Sequence, residues 1–171
     1  MKEDEINYPK IIFLVGMSGA GKSTYATKYI NDNPDTIRVN RDDLRKTFVG
    51  TLENYYSKDI RKIEKLVTSV QHEIIAQCLY FEDFNVIIDN TNLKIKYISD
   101  ILEDFDEIKY EFVIFDTDMV TCKDRVYKRD NVDVSYMTKQ AEDLNKIVEY
   151  IVNNYEPEQI KMIHHGAKKI S

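Results

Sequence analysis

Residues 16–24 read GMSGAGKST, a set of residue types that suits the binding of a polyphosphate. They fit the pattern G-x-x-x-x-G-K-[ST], in which glycines let a loop curl so that backbone N–H groups point at phosphate oxygens. The loop lies between an apolar run and a helical pattern, and a helix N-terminus also attracts anions. The alternative is a glycine-rich turn that only joins strand to helix, and the match at every fixed position disfavours it. The sequence therefore predicts a nucleoside triphosphate site.

This loop supplies most of the residues that we expect to hold ATP. Lys22 is expected to bridge the β- and γ-phosphates and to assist transfer, while the Ser23 hydroxyl is expected to bind Mg²⁺. The expected phosphate contacts within the loop are Gly16, Ser18, Gly19, Ala20, Gly21, Lys22, Ser23 and Thr24.

The stretch RVNRDDLR, Arg38–Arg45, places three arginines and two aspartates within eight residues. A P-loop enzyme that transfers phosphate to a hydroxyl needs an acidic group near the acceptor. Such groups gather at the carboxyl ends of the strands in parallel α/β folds. A strand over TIRVN, beside or near the P-loop strand, would put the next residues on that edge, followed by a short helix over Leu44–Phe48. The residues placed there are Arg41, Asp42 and Asp43.

The same charges have a simpler interpretation. Asp42 and Arg45 are three residues apart and could form a surface pair worth about 0.2 to 0.5 kcal/mol. Acidic residues are also favourable in the first turn of a helix. The P-loop and the strand-end location favour a functional role for Asp42 and Arg45, and we expect structural ion pairing for Arg38 and Asp43.

Two further segments carry chemistry. Asp89 directly follows an apolar run in IIDNTN and has the usual position of a second P-loop signature, which orients Mg²⁺ or its water shell. The next residues form turns readily, but Thr91 could also contact the acceptor. In CKDRVYKRD, Arg125 and Arg129 are four residues apart and share a helical face, which suits a lid over the donor phosphates. An ordinary solvated basic face is the alternative.

In this order, GMSGAGKST, VNRDDLR, DNTN and the Arg-x-x-x-Arg lid resemble the 5'-hydroxyl polynucleotide kinase domain of bacteriophage and animal end-healing enzymes. The resemblance runs from about Lys10 to Val152, and RDDxR is its most specific part. It implies ATP-dependent phosphorylation of 5'-hydroxyl ends of DNA or RNA, single-stranded or bound at an end. It includes the kinase domain only, because 171 residues cannot hold the phosphatase domain that related enzymes often carry.

The resemblance also implies roles for individual residues. Asp42 would be the general base for the 5'-hydroxyl, and Arg45 would contact the phosphate beside the acceptor nucleoside. Arg129, with Arg125, would act from the lid on the donor phosphates. Catalysis would then depend on Asp42, Lys22 and Arg129, and recognition of the acceptor on Arg45, Asp42 and Thr91.

The apolar runs predict an α/β P-loop kinase fold, with a central parallel sheet of four or five strands and helices on both faces. The predicted strands are Lys10–Gly16, Thr36–Asn40, Asn85–Asp89 and Tyr110–Asp116, with Gln159–His165 as a fifth. The predicted helices are Lys22–Ile30, Ser57–Phe81, Lys94–Leu102, Thr117–Tyr127 and Val134–Val152. Ser57 is expected to cap the longest helix. Its expected apolar face is Ile60, Ile63, Val67, Val70, Ile74, Cys78 and Phe81.

Composition bounds the remaining possibilities. We expect residues 1–171 to form one kinase domain with a lid helix at about 117–130. The net charge of -6 argues against a broad positive surface for duplex DNA, so nucleic-acid contact would be local. Cys78 and Cys122 are expected to be thiols. The three histidines, His72, His164 and His165, are expected to be structural or exposed.

The charged start and the lack of a long apolar run predict a cytoplasmic protein without membrane segments, in the host cytoplasm if a phage encodes it. Two other function classes stay open. One is a small-molecule P-loop kinase of the nucleoside or sugar-acid type, and the other is a regulatory NTPase that transfers no phosphate. The sequence does not predict an oligomeric state.

Overall fold

Five parallel strands form a single sheet in the computed structural model, which describes residues 9–81 and 84–165. The order across the sheet is β2, β3, β1, β4, β5, and every neighbouring pair is parallel. The strands are β1 (Lys10–Val15), β2 (Thr36–Val39), β3 (Asn85–Ile88), β4 (Lys109–Thr117) and β5 (Ile160–His165). The chain therefore has the α/β P-loop kinase fold predicted from the sequence, including the fifth strand.

Seven α-helices flank the sheet within the described residues, together with a short 3-10 helix at Pro157–Gln159. The helices are α1 (Lys22–Asp32), α2 (Arg41–Val49), α3 (Leu52–Tyr56), α4 (Ile60–Tyr80), α5 (Ile95–Asp104), α6 (Met119–Asp130) and α7 (Met137–Asn154). None of these helices has both the length and the apolar character that crossing a bilayer requires.

The core lies around the central strands. Residues 11–15 of β1 are at most 1% exposed, because helices cover both faces of a parallel sheet. Phe13 stacks on Phe112 of β4 with ring centroids 5.4 Å apart. Cys78 and Cys122 are buried thiols, as predicted.

Strand register brings the functional segments to one edge of the sheet. Val39 pairs with Ile88 of β3, and Ile88 pairs with Phe13 of β1. The residues that follow these strands therefore emerge at the same side. β2 lies near β1, with β3 between them, and it forms an edge of the sheet.

Among the helix boundaries that differ from the sequence-based predictions are the starts of α2 and α4. Helix α2 begins at Arg41 and not at Leu44, because the Asn40 side chain accepts a hydrogen bond from the Asp43 N–H at 3.0 Å and caps the helix. The first helical turn therefore contains Arg41, Asp42 and Asp43. Acidic side chains there interact favourably with the positive end of the helix dipole.

The predicted helix over Ser57–Phe81 corresponds to α4, which begins only at Ile60, and Ser57 instead ends α3, a short helix that the sequence analysis did not predict. Asp59 caps α4 instead, its side chain accepting from the Lys62 N–H. The predicted apolar face is wrong at its ends, since Ile60 is 40% and Phe81 69% exposed. The buried residues of α4 are Val67, Gln71, Ile75, Cys78 and Leu79.

Some sequence-based expectations concern the chain ends and the histidines. Residues 1–8 and 166–171 lie outside the described part of the chain, and so does the side chain of His165. His164 is exposed and its Nδ1 lies 3.1 Å from Asp116 Oδ2, in agreement with an exposed histidine.

Replacing Asp59 by Ala tests the cap of α4. We expect the free energy of unfolding to fall by about 1 kcal/mol, because a helix N–H loses its acceptor. Denaturant unfolding followed by circular dichroism measures the change. The matched variant Ser57→Ala should cost less, since the Ser57 hydroxyl only donates to the Asn54 carbonyl at 2.8 Å. A larger loss in Ser57→Ala than in Asp59→Ala would contradict this boundary.

Candidate active site

A cleft of about 300 Å³ opens at the carboxyl ends of β1, β2 and β3. Its walls come from the P-loop, the start of α2, the segment after β3, and the facing sides of α4, α5 and α6. The sequence-predicted site residues that line it are Ser18, Gly19, Lys22, Ser23, Asp42, Arg45, Asp89, Thr91 and Arg129. Those that do not line it are Gly16, Ala20, Gly21, Thr24 and Arg125. The structure thus brings the predicted donor and acceptor residues into one cavity.

Two glycines give the P-loop its shape. Gly19 and Gly21 have φ angles of 78° and 99°, in the left-handed region that favours glycine. A Cβ on Gly19 would lie 2.6 Å from the carbonyl oxygen of Cys122 in α6. The loop therefore packs against the backbone of α6 at a distance that only glycine allows.

Lys22 lies inside the loop and is only 7% exposed. Its Nζ donates to the carbonyl oxygens of Gly16 at 2.9 Å and Met17 at 2.7 Å. Burial lowers the pKa of Lys22 to about 8, and the nearby negative charge of Asp89 opposes that shift. The amine therefore stays mainly protonated at neutral pH.

A residue that the sequence did not point to fixes the start of the loop. Gln140 of α7 accepts from the Ser18 N–H at 2.9 Å, and its Nε2 lies 3.2 Å from the Ser18 hydroxyl oxygen. Ser23 and Thr24 are exposed in the first turn of α1, and Ala20 is buried. Neither Ala20 nor Thr24 lines the cleft.

Asp89 is 1% exposed and is held from one side. Its Oδ2 accepts from Arg38 Nε at 2.8 Å and lies 2.7 Å from Arg38 Nη2 in an ion pair, and Arg38 Nη1 donates to Asp43 Oδ2 at 2.6 Å. The Oδ1 of Asp89 is buried without a hydrogen-bond partner. The expected ion pairing of Arg38 and Asp43 is confirmed, and the contact of Arg38 with Asp89 is additional.

These groups fit a magnesium ion bound together with nucleotide. No group of three or more His, Cys, Asp or Glu side chains in residues 9–81 and 84–165 could hold a metal alone. Mg²⁺ at nucleotide sites needs no such group, because phosphates and water supply most of its ligands. The unpartnered Oδ1 of Asp89 and the exposed hydroxyl of Ser23 suit the one or two remaining positions.

Backbone and amide groups join the ends of β2 and β3. The Asn40 side chain donates to the Asp89 carbonyl, and the Arg41 N–H donates to Asn90 Oδ1 at 2.9 Å. Thr91 accepts from the Gly16 N–H at 3.0 Å through its carbonyl. The segment after β3 is therefore fixed to both the P-loop and α2.

Glu64 of α4 is the main charged residue that the sequence analysis missed. Its carboxylate accepts from Arg45 Nε at 2.8 Å and Nη2 at 2.9 Å, from Arg41 Nη2 at 3.0 Å and from the Tyr55 hydroxyl at 2.9 Å. The hydrogen bond from Arg45 is the largest cause that lowers the pKa of Glu64, to about 2. Glu64 and Asp42 in turn raise the pKa of Arg45. No local pattern marks this residue, because its partners are 9 to 23 positions away in the chain.

Asp42 and Arg45 form the pair that the simpler interpretation predicts, with Nη1 donating to Oδ1 at 2.6 Å. Both side chains also line the cleft, and that of Asp42 is 58% exposed. Asp42 is therefore accessible to a hydroxyl, whereas most of the Arg45 fork is already bound to carboxylates.

Arg125 and Arg129 of α6, the arginines predicted to form a lid, have different surroundings. Arg129 reaches the cleft and pairs with Asp130 through Nε at 2.7 Å and Nη2 at 2.6 Å. The hydrogen bonds that Arg129 donates to the Asp130 carboxylate raise the pKa of Arg129. Arg125 is four residues earlier on the same helix, and its Nη1 donates to the Gly19 carbonyl at 3.2 Å. A donor-phosphate contact from Arg125 would need a different side-chain position.

The far wall of the cleft comes from α4 and α5. Tyr97 lies beside Arg41, whose Cζ is 5.8 Å from the ring centroid. His72 is half-buried there, and its Nδ1 lies 2.6 Å from Asp104 Oδ2. His72 has the structural role expected for it and also lines the cleft. The residues that only the structure adds to this wall are Thr68, Gln71, His72, Tyr97, Asp100 and Ile101.

The variant Glu64→Gln tests the charged cluster. At neutral pH we expect the free energy of unfolding to fall by about 1 to 3 kcal/mol, because two arginines lose their shared anion. The pKa of Glu64 is lower in the folded protein than its ordinary 4.5. Its contribution is therefore complete above pH 4.5 and is lost as the pH falls through about 2.

Urea unfolding of wild type and variant between pH 7 and pH 2 measures this contribution. The difference between the two proteins should narrow below pH 4.5. Glu53→Gln, at an exposed position of α3, is the matched control and should show little difference at any pH. A difference for Glu64→Gln that stays constant down to pH 2 would contradict the ion pairing.

Comparison with known proteins identifies the type of domain. A family model described as an AAA domain matches residues 11–151. A chain in the structure of the Pnkp1/Rnl/Hen1 RNA repair complex matches with a TM-score of 0.71 and 26% identity, over 91% of this chain and 49% of that one. A chain in another structure of the Pnkp1/Rnl/Hen1 complex matches with a TM-score of 0.61 and 30% identity, over 72% of this chain and 42% of that one.

The protein thus spans about half the length, or less, of the solved chains that it matches. At the level of domain type, these similarities confirm the resemblance to a P-loop kinase domain of nucleic-acid end-healing proteins. The family match includes the P-loop, the RDDxR segment, Asp89 and α6. The chain therefore belongs to this AAA-domain family of nucleotide-binding P-loop proteins.

Proposed function

We propose that the protein transfers the γ-phosphoryl group of ATP to 5'-hydroxyl ends of DNA or RNA. The observation that carries the proposal is the shared cleft, which is lined by both Lys22 of the P-loop and Asp42 of the RDDxR segment. In-line transfer needs donor phosphates and an acceptor base on facing sides of one cavity. We further propose that residues 1–171 act as one kinase domain with α6 as its lid.

The donor side consists of the P-loop and its neighbours. Lys22 would exchange its two carbonyl contacts for oxygens of the β- and γ-phosphates, and loop N–H groups would donate to the same phosphates. Ser23 and Asp89 would hold Mg²⁺, which neutralises charge on the phosphates when it is bound. Arg129 would donate to the oxygens of the migrating phosphoryl group, where negative charge is spread.

The acceptor side begins at Asp42. Its carboxylate would take the proton of the attacking hydroxyl as the new oxygen–phosphorus bond forms. The bond from the γ-phosphorus to the bridging oxygen would break at the same time, and ADP would leave with that electron pair. Arg45 would contact the phosphate next to the reacting nucleoside, and Thr91 would lie close to the acceptor.

Several observations support a nucleic-acid acceptor. The similar solved chains come from RNA repair complexes, and the contact proposed here is local, as a net charge of -6 requires. The end of a single strand would fit into the cleft, because only the terminal nucleoside and one phosphate need to enter. We place this activity in the cytoplasm.

A small-molecule P-loop kinase is the second candidate. The observation that favours it is the bond between Glu64 and Arg45, because an acceptor phosphate must share or replace a carboxylate there. A nucleoside or sugar acid that does not need Arg45 would avoid this competition. No separate observation favours a regulatory NTPase.

Labelled ATP and a panel of acceptors test the main proposal directly. The panel contains a 5'-hydroxyl oligodeoxynucleotide, a 5'-hydroxyl oligoribonucleotide, a nucleoside 3'-phosphate and plain nucleosides, all with Mg²⁺. We expect γ-label on at least one oligonucleotide end. Label on plain nucleosides alone would favour the small-molecule kinase, and hydrolysis without a labelled acceptor would favour the NTPase.

Asp42→Asn tests the general base. We expect kcat to fall by about 10²- to 10⁴-fold, because the amide cannot accept the hydroxyl proton. Binding of ATP, measured by calorimetry, should not change, since Asp42 lies on the acceptor side. The matched variant Asp124→Asn, on the exposed side of α6, should keep full activity. Wild-type kcat in Asp42→Asn would exclude this role.

Arg45→Ala tests the acceptor phosphate. We expect KM for an oligonucleotide and for a nucleoside 3'-phosphate to rise, because a guanidinium contact to phosphate is lost. Any activity on plain nucleosides should change much less. The nucleoside measurement therefore shows how much activity is lost only because Arg45 no longer pairs with Asp42. Arg61→Ala, at an exposed position of α4, is the matched control. Equal losses on all acceptors would show that Arg45 acts only through the structure of the site.

A further inference from the structure

We propose that Arg38 is a positioning residue of the transfer site, which holds Asp89 by one oxygen and presents the other to the Mg²⁺ of the bound nucleotide. The inference rests on the proposed donor site, but not on the identity of the acceptor. Arg38 is not part of the P-loop, of RDDxR or of the lid, and it does not line the cleft.

The geometry of the contact is one-sided. Nε of Arg38 donates to Oδ2 of Asp89 at 2.8 Å, and Nη2 makes an ion-pair contact with the same oxygen at 2.7 Å. A guanidinium commonly binds the two oxygens of a carboxylate in parallel, but here the second oxygen, Oδ1, stays without a partner. Asp89 lines the cleft, so its unpartnered Oδ1 belongs to a residue at the proposed nucleotide site.

A buried carboxylate oxygen without a hydrogen bond is unfavourable, so its presence needs an explanation. Asp89 is 1% exposed, and bulk water does not reach Oδ1. A magnesium ion or one of its water ligands would supply the missing partner. The site is therefore prepared for a cation on one side of the carboxylate, with Arg38 on the other.

A closed set of four residues, joined through side chains and backbone groups, fixes this arrangement. Arg38 binds Asp43 as well as Asp89, the Asp43 N–H donates to Asn40, and Asn40 donates to the Asp89 carbonyl. Each member contacts two others, so the Asp89 carboxylate cannot rotate without breaking a charge-assisted bond. Asp43 is next to Asp42, and the same set therefore fixes the start of α2.

Lysine could not perform this role. Its ammonium is a point charge on a flexible chain, whereas arginine donates from several nitrogens in one plane. Three separate nitrogens of Arg38 are used here, two toward Asp89 and one toward Asp43. Exchanging Arg38 for Lys therefore keeps the positive charge at this position but removes the groups that orient the Asp89 carboxylate.

The test is the gain in nucleotide affinity that Mg²⁺ provides. Calorimetry measures binding of adenylyl imidodiphosphate, a non-hydrolysable ATP analogue, with Mg²⁺ and with EDTA. In Arg38→Gln we expect affinity without metal to stay at the wild-type value, because it depends on the P-loop. The gain from Mg²⁺ should fall by about 10- to 100-fold, the usual effect of losing a group that orients a metal ligand.

Arg38→Lys should show the same loss, although it keeps the positive charge. Arg61→Gln is the matched control and should keep the full gain, and thermal unfolding verifies that each variant is folded. If Arg38→Gln does not fold, Arg38→Lys decides alone. A full or increased gain from Mg²⁺ in a folded Arg38 variant would overturn the inference and leave the proposed kinase intact. Failure of wild type to bind the analogue would overturn both.

Discussion

The register of three parallel strands is the constraint on which the site depends. Pairing of β2 with β3, and of β3 with β1, brings Asn40, Asp89 and Gly16 to the same edge of the sheet. These three positions are 24 to 73 residues apart in the chain, and each begins a segment that lines the cleft. A shift of one residue would move every side chain of a strand to the opposite face of the sheet, where it would no longer match the helices packed there, so the register is strongly fixed.

Pairing of opposite charges governs the cleft itself. Arg38 contacts Asp89 and Asp43, Arg45 contacts Glu64 and Asp42, and Arg129 contacts Asp130. Each guanidinium is therefore oriented by carboxylates before any phosphate enters, which reduces the conformational entropy lost on binding. If Arg45 and Arg129 bind phosphate as proposed, Glu64, Asp42 and Asp130 would compete with that phosphate, so the orientation of these arginines would be gained at the expense of contact strength.

The sequence predicted the elements that depend on local pattern. The P-loop, the buried strands and the acids after them follow from residue type and spacing, and the observed fold agrees with them. The contacts of Glu64 with Arg45 and of Gln140 with Ser18 could not be predicted, because they join residues far apart in the chain through packing of helices. The start of α2 was misplaced although Asn40 is a good cap, since the same residue also fits the end of a strand.

The close contact of Gly19 with the Cys122 carbonyl restricts how α6 can move. Arg125, one turn further on, also donates to the Gly19 carbonyl. The first half of α6 is thus joined to the loop that would hold the nucleotide, and sliding or tilting of the whole helix would disturb that loop. Closure over a substrate would have to come from bending near the C-terminal end of α6, so that Arg129 travels while the base of the helix stays in place.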